Sequence, residues 1–384
     1  MKNNFNENAS AANLRQSTDT SSAIEKSRNE AVDVFFAADK GYLPYLSVAV
    51  VSLSEKASSD RLYRIHVLSE NLTPSDVIGI KKRVKSNVKI SVIDISDKLF
   101  HIKEELALRL RDYYSSAIYY RLFIPEMFGN LDKAVYLDSD IVLNDDVAKL
   151  FDYDIADNLL GAVADESVLA VPVFCEYVVK HVGLSSPEKY FNSGVLVMNL
   201  TKLREEKIRD KFIELLCKYN FKTVAPDQDY LNFLCQDKVA YIESGWNKHA
   251  IAENVIEKEK LHLMHYNMFN KPWHYENVQN EELFWEFAEM TEYKDSLLSG
   301  KLAYTEEEKK RDSASAVALL DSAKEITGSM EEISFASILK KESNAKEIKK
   351  AMINKKKTVK PTEKTKAKSA PKNSFGRAKA GSLK

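Results

Sequence analysis

Seven short runs that are apolar on both of their faces constrain this chain more than any other feature. They are VDVFFAAD (32–39), YRIHVLS (63–69), VKISVID (88–94), KAVYLDSD (133–140), LGAVAD (160–165), SGVLVMNL (193–200) and KVAYIES (238–244). A half-buried strand alternates apolar with polar residues, whereas a run without alternation suits a strand covered by helices on both sides. Between the runs lie amphipathic stretches: YLPYLSVAVVSLSEK (42–56), TPSDVIGIKKRVKS (73–86) and TKLREEKIRDKFIELLCKYN (201–220). The second is predicted to start with Thr73 as N-cap and Pro74 at the first helical position, the third with Thr201 as N-cap. This alternation predicts an α/β fold, a Rossmann-like, mostly parallel sheet flanked by helices. Such sheets bind ligands at the carboxyl ends of their strands.

Several of those ends carry acids: Asp39, the pair Asp138 and Asp140 around Ser139, and Asp165. Side chains repeat every two residues along a strand, so Asp138 and Asp140 fall on one side. Two converging carboxylates repel unless a cation lies between them, and hard oxygen ligands suit Mg²⁺ or Mn²⁺, with an added imidazole favouring Mn²⁺. An isolated D-x-D is weak, and its place at the end of a buried strand strengthens it. Three further clusters bear on the chemistry. HYNMFNKPW (265–273) offers an imidazole and, six residues on, Lys271. Pro226-Asp227-Gln228-Asp229 sits at a helix start, where the acids also favour the helix dipole. Tyr190-Phe191-Asn192-Ser193-Gly194 precedes an apolar strand and also reads as a turn. Taken singly, His265 reads as an ordinary core histidine and Trp273 as a packing residue.

The four clusters occur together and in order. With FFAAD-x-x-Y (35–42), IHVLS (65–69), YYRLFIPE (119–126), KAVYLDSDIVL (133–143), LGAVAD (160–165), YFNSGVLVMNL (190–200), DQDYLN (227–232) and HYNMFNKPW (265–273), the chain from Val32 to Trp273 resembles glycosyltransferase family 8. That group contains bacterial lipopolysaccharide galactosyl- and glucosyltransferases and glycogenin. The resemblance implies a GT-A fold and transfer of galactose or glucose from UDP-galactose or UDP-glucose, with retention, to a glycan or glycolipid acceptor. It implies Mn²⁺, with Mg²⁺ as the alternative, held by Asp138, Asp140 and His265. It implies donor contacts from Ala37, Ala38, Asp39, Arg121, Asp138, Ser139, Asp165, Asn192, Gln228 and Lys271. Asp39 matches the residue that bonds the uracil, Lys271 the one that meets the diphosphate, and Arg121, Asp165 and Asn192 those that hold sugar hydroxyls. Gln228 matches the residue on the reacting face, and with Asp227 and Asp165 it forms the catalytic set. Two positions depart from the pattern. Gly41 stands where relatives commonly carry a polar residue near the ribose, and Met268 where many have Gly.

Composition bears on what surrounds this region. Of 384 residues 44% are hydrophobic, enough for one large domain or two ordinary ones. No run of 18 apolar residues predicts a membrane-spanning helix. Residues 1–30 are polar, lack the apolar segment of a secretory signal and read as a disordered lead-in. Residues 31–280 are expected to form the catalytic domain and 281–340 a helical C-terminal appendage. Cys175, Cys217 and Cys235 form no C-x-x-C pair, which fits a reducing compartment. The net charge of −1 hides an asymmetry, because Lys341–Lys384 carries 15 Lys+Arg against 3 Asp+Glu, leaving 41 against 54 before it. This low-complexity tail predicts either a solvated extension or contact with an anionic membrane surface. The expected location is cytoplasmic, peripheral on the inner membrane face where the tail meets lipid. The tail's single aromatic, Phe375, and the acidic body argue against nucleic acid. Two other functions fit parts of the pattern: a haloacid-dehalogenase-type phosphatase with Asp138 as nucleophile, and a non-catalytic sugar-nucleotide-binding relative. The phosphatase motif normally follows a domain's first strand, and that reading leaves HYNMFNKPW without a job.

Overall fold

A computed structural model describes residues 31–98, 116–251, 255–329 and 333–341. The polar lead-in and the basic tail from residue 342 on lie outside the described residues. Two compact units divide the chain, Met1–Ile338 and Leu339–Lys384, and only residues 339–341 of the second are described.

The strands are β1 (Val32–Ala37), β2 (Tyr63–Ser69), β3 (Val88–Asp94), β4 (Lys133–Leu137), β5 (Ile141–Leu143), β6 (Leu160–Ala164), β7 (Phe191–Asn199), β8 (Val239–Tyr241), β9 (Lys248–His249) and β10 (Leu263–His265). Seven of them form one sheet in the order β3-β2-β1-β4-β7-β6-β8. Neighbours are parallel except where β7 runs antiparallel to both β4 and β6. The sheet is therefore mostly parallel, and its apolar runs serve two cores. Val32, Val34 and Phe36 face one layer with Leu46, Ala49, Val50 and Leu53 of the Leu43–Lys56 helix. Phe35 faces the other with Phe212, Leu216, Tyr230 and Leu231 of the helices Ile208–Tyr219 and Pro226–Cys235. Adjacent residues of one strand are buried in opposite layers, which is why the sequence shows no alternation.

The reversal of β7 matters for the site. Running against its neighbours, it brings its first residues, Phe191–Gly194, to the edge where β4 and β6 end. There Asp138 N–H donates to Gly194 O at 2.8 Å. A second, three-stranded sheet, β5-β10-β9, performs the other join. In it His265 pairs with Ile141 on one side and His249 on the other, and Tyr266 N–H donates to Asp140 O at 3.0 Å. These strands have two or three residues each, too few for periodicity to reveal.

Two helix expectations need correction. Residues 73–86 do not form a helix from Thr73. The Thr73 N–H and hydroxyl both bond the Asp76 carboxylate (2.8 and 2.7 Å), which holds a turn, and only Ile78–Lys81 is helical. Residues 201–220 are two helices, Leu200–Glu205 and Ile208–Tyr219, joined at Lys207 in the left-handed region (φ 53°). The cap is Asn199, which accepts from Lys202 N–H at 3.0 Å, whereas the Thr201 hydroxyl is engaged by Asp132. Further on come helices Glu281–Ala288, Lys294–Ala303 and Glu306–Gly328, the last opened by a capping box of Thr305 and Glu308. Among the described residues no helix is long and apolar enough to cross a membrane.

Candidate active site

The acids at the strand ends are held by specific partners. At the end of β1, Asp39 Oδ1 accepts from the N–H groups of Gly41 and Tyr42 (2.9 and 3.1 Å), and the Ser139 hydroxyl donates to Ala37 O at 2.9 Å. Beyond β4, Asp138 Oδ1 accepts from Tyr136 OH at 2.8 Å and Arg121 Nη2 at 3.0 Å. Its Oδ2 lies 4.0 Å from His265 Nε2. After β6, Asp165 Oδ1 caps a short helix by accepting from Ser167 and Val168 N–H (2.9 and 3.1 Å). Its Oδ2 is left to accept from Asn192 Nδ2 at 3.0 Å and Gln228 Nε2 at 2.9 Å. Gln228 is held at its other end as well, because its Oε1 accepts from Ser193 N–H at 2.8 Å.

A chain of amides fixes the His265 ring. Gly194 N–H donates to Asn192 Oδ1 at 2.9 Å, so that oxygen is an acceptor. Asn247 Nδ2 donates to the same oxygen at 3.0 Å, which turns Asn247 Oδ1 toward His265 Nδ1, 2.9 Å away. An amide oxygen only accepts, so Nδ1 carries a proton and Nε2 faces outward. It points at Asp140 Oδ1 (3.3 Å) and Asp138 Oδ2. One ligand atom from each of the three residues lies within 4.8 Å of the others. Gly194 shapes the cradle, since a Cβ there would stand 2.5 Å from His265 Cε1 and 2.6 Å from Asp138 Oδ2. Two carboxylates and an outward-facing imidazole nitrogen converging in a partly buried corner fit a divalent cation.

Two cations complete the electrostatics. Lys271 Nζ lies 2.5 Å from Asp140 Oδ2. Burial pushes Asp140 up, but Lys271 and His265 outweigh it and hold its carboxyl well below the usual range. Arg121 is buried, bonds Asp138, and places Nε 3.3 Å from Asp227 Oδ2. Burial opposes its charge, yet Asp138, Tyr136 and Asp227 keep it a cation. Asp227 is itself raised, by burial before all else and then by Asp138, against the lowering effect of Arg121.

These groups line two adjoining cavities. One, of about 430 Å³, is bounded by Ala37, Ala38, Asp39, Ser139 and Lys271; the other, of about 190 Å³, by Asp165, Asn192, Ser193, Asp227, Gln228 and His265. Ile118, Arg121, Asp138, Asp140, Met268 and Leu319 line both. Each of the sequence-predicted site residues lines one or both of these two adjoining cavities. Sequence reasoning missed Asn247 and His249. Burial holds His249 neutral, pushed down to about 4, and its Nδ1 meets Ser167 Oγ at 2.9 Å. No signal in the sequence marks them; only in the fold is the polar run Asn247-Lys248-His249 fully buried, where polar groups need partners. Of the two departures, Met268 adopts the left-handed region (φ 56°), the conformation that favours the usual glycine.

The sequence profile of Glycosyl transferase family 8 matches residues 33–277. The chain belongs to glycosyltransferase family 8. Lipopolysaccharide 1,2-glucosyltransferase of Escherichia coli (strain K12) is 28% identical over 264 residues, 64% of this chain and 74% of that protein. The solved galactosyltransferase LgtC, in complex with donor and acceptor sugar analogs, is 27% identical with a TM-score of 0.55, covering 68% of this chain and 96% of that one. The WbbM bifunctional glycosyltransferase gives a TM-score of 0.59 at 22% identity, a likeness of fold. There 71% of this chain spans about half of the other, 52%. The family 8 protein described here has the GT-A architecture, and its membership leaves the phosphatase reading without support.

Proposed function

We propose that this family 8 protein is a retaining hexosyltransferase that moves glucose or galactose from a UDP-sugar to a glycan or glycolipid hydroxyl. The observation that carries the reading is the convergence of Asp138, Asp140 and His265 beside both cavities, one edged by Asp39 and Lys271 and the other by Asp165, Asn192 and Gln228. The uracil belongs near Asp39 and the Ala37–Ala38 backbone, the diphosphate near Lys271, and the hexose against Asp165, Asn192 and Arg121. A divalent cation held by the two acids and the imidazole, Mn²⁺ before Mg²⁺, would supply Lewis-acid neutralisation of the diphosphate.

The chain's own groups shape the transfer. Lys271 meets diphosphate charge as a point cation. Gln228, pinned by Ser193 N–H and Asp165, presents an amide oxygen, a poor nucleophile but a suitable dipole for positive charge developing at the anomeric carbon. Retention is then a same-face substitution. The bond from C1 to the phosphate oxygen breaks, the acceptor oxygen bonds C1 on the same face, and the acceptor proton passes to the departing phosphate oxygen. A covalent sugar trapped on Asp165 or Asp227 would overturn this and restore a double displacement. The reading as a whole is tested by UDP release over a panel of UDP-sugars supplied together with glycan and glycolipid acceptors, with and without Mn²⁺. Release from UDP-glucose or UDP-galactose that depends on the metal supports it, and no release from any donor defeats it.

A further inference from the structure

The helix Glu306–Gly328 lies beyond the residues matched by the family profile, yet it reaches the site. It is fastened at both rims. Near its start Asp312 Oδ2 accepts from Tyr275 OH and Tyr304 OH, each at 2.7 Å, and Tyr304 stacks on His274 with ring centres 3.9 Å apart. Near its end Ala323 and Ile326 are buried with Tyr177, Val178, Val182 and Tyr190. Between these anchors Leu319 lines both cavities. The junction it covers has a polar side, Arg121, Asp138 and Asp140, and an apolar side, Ile118, Met268 and Leu319.

We infer that Leu319 is a specificity-determining residue that keeps water off the sugar–phosphate bond, so that the enzyme passes hexose to an acceptor hydroxyl and not to water. The inference rests on the UDP-sugar reading above. With the diphosphate at Lys271 and the hexose at Asp165 and Gln228, the bond that breaks lies at this junction. An electron-poor anomeric carbon reacts with any hydroxyl that reaches it, and exclusion of water is what separates transfer from hydrolysis. Water attack would form the C1–OH bond, break the bond from C1 to phosphate and send the water proton to the departing phosphate oxygen, releasing free hexose and UDP. An isobutyl group on the apolar side offers a water no hydrogen-bond partner from that side and takes up the space it would occupy.

The test uses the full chain with Mn²⁺ and either UDP-glucose or UDP-galactose, without acceptor. Free hexose is measured for wild type, Leu319→Ser, Leu319→Met and the double variant Tyr275→Phe, Tyr304→Phe, and UDP affinity is measured separately by calorimetry. Leu319→Ser is expected to raise free-hexose release about tenfold with UDP affinity within about twofold, while Leu319→Met keeps the wild-type rate. The double variant, which frees the start of the helix without touching Leu319, is expected to raise release as well and decides the matter if Leu319→Ser does not fold. Release at or below wild type in the folded variants, with UDP still bound, overturns the inference. Wild type that binds no UDP overturns the donor reading beneath it, a distinguishable failure.

Discussion

Asn247 Oδ1 stands 2.9 Å from His265 Nδ1, and the orientation of that amide is dictated by the backbone N–H of Gly194 acting through Asn192. The same linked amides continue through Asp165 to Gln228, so one network sets both the imidazole and the Asp165 carboxylate. Partners that orient a ligating histidine are commonly worth about 10–100-fold in metal affinity. Asn247→Leu is therefore expected to weaken Mn²⁺ binding within that range, read by calorimetry or by the signal of free Mn²⁺. Unchanged binding would show that the ring needs no such support.

Asp140 is the acid that faces both His265 and Lys271. Asp140→Asn keeps the shape and removes the charge, and it is expected to abolish metal-dependent UDP release. His265→Ala is expected to weaken metal retention with a milder loss of rate, because water can fill a vacated ligand position. An Asp140→Asn enzyme of undiminished Mn²⁺-dependent rate would refute the assignment.

The sheet and the acids at its edge were legible because burial on both faces leaves long unalternating runs, and because D-x-D at a strand end needs no tertiary information. The direction of β7 was not legible, since antiparallel and parallel buried strands share one composition. Nor were β5, β9 and β10, whose two or three residues carry no period but which bring His265 to Asp140. Asn247 acts only through contacts made after folding. Leu319 reads in sequence as one apolar position of an amphipathic helix, and only the anchors at Asp312 and Ile326 reveal what it covers.

Gly194 offers a steric test of the cradle. A methyl there would meet His265 Cε1 at 2.5 Å and Asp138 Oδ2 at 2.6 Å, closer than any ordinary contact, so either the ring or the carboxylate must move. Gly194→Ala is expected to lose Mn²⁺ binding at least tenfold, roughly 1.4 kcal/mol, while the far-ultraviolet circular dichroism stays native. Full Mn²⁺ affinity in a folded Gly194→Ala protein would place the ion elsewhere.

Asp229 gives the fold a pH dependence of its own. Its carboxylate is fully buried, accepting from Tyr190 OH (2.6 Å), Tyr177 OH (2.7 Å) and the N–H groups of Val224 and Ala225. Burial outweighs these bonds and pushes the carboxyl from 3.8 up to about 6. Between those values the folded chain keeps a proton that the unfolded chain has released, so stability falls as pH rises from about 4 to about 6 and is level above. Asp229→Asn cannot titrate and escapes that fall, although its single carbonyl oxygen accepts fewer of the four donors and lowers stability at every pH. Measured by urea unfolding at pH 4, 5, 6 and 7, the stability of the variant relative to wild type is expected to improve by up to about 3 kcal/mol as pH rises, most of it below pH 6. Parallel curves for the two proteins would mean that Asp229 is already ionised in the fold at pH 4, with the tyrosine hydroxyls fully offsetting its burial.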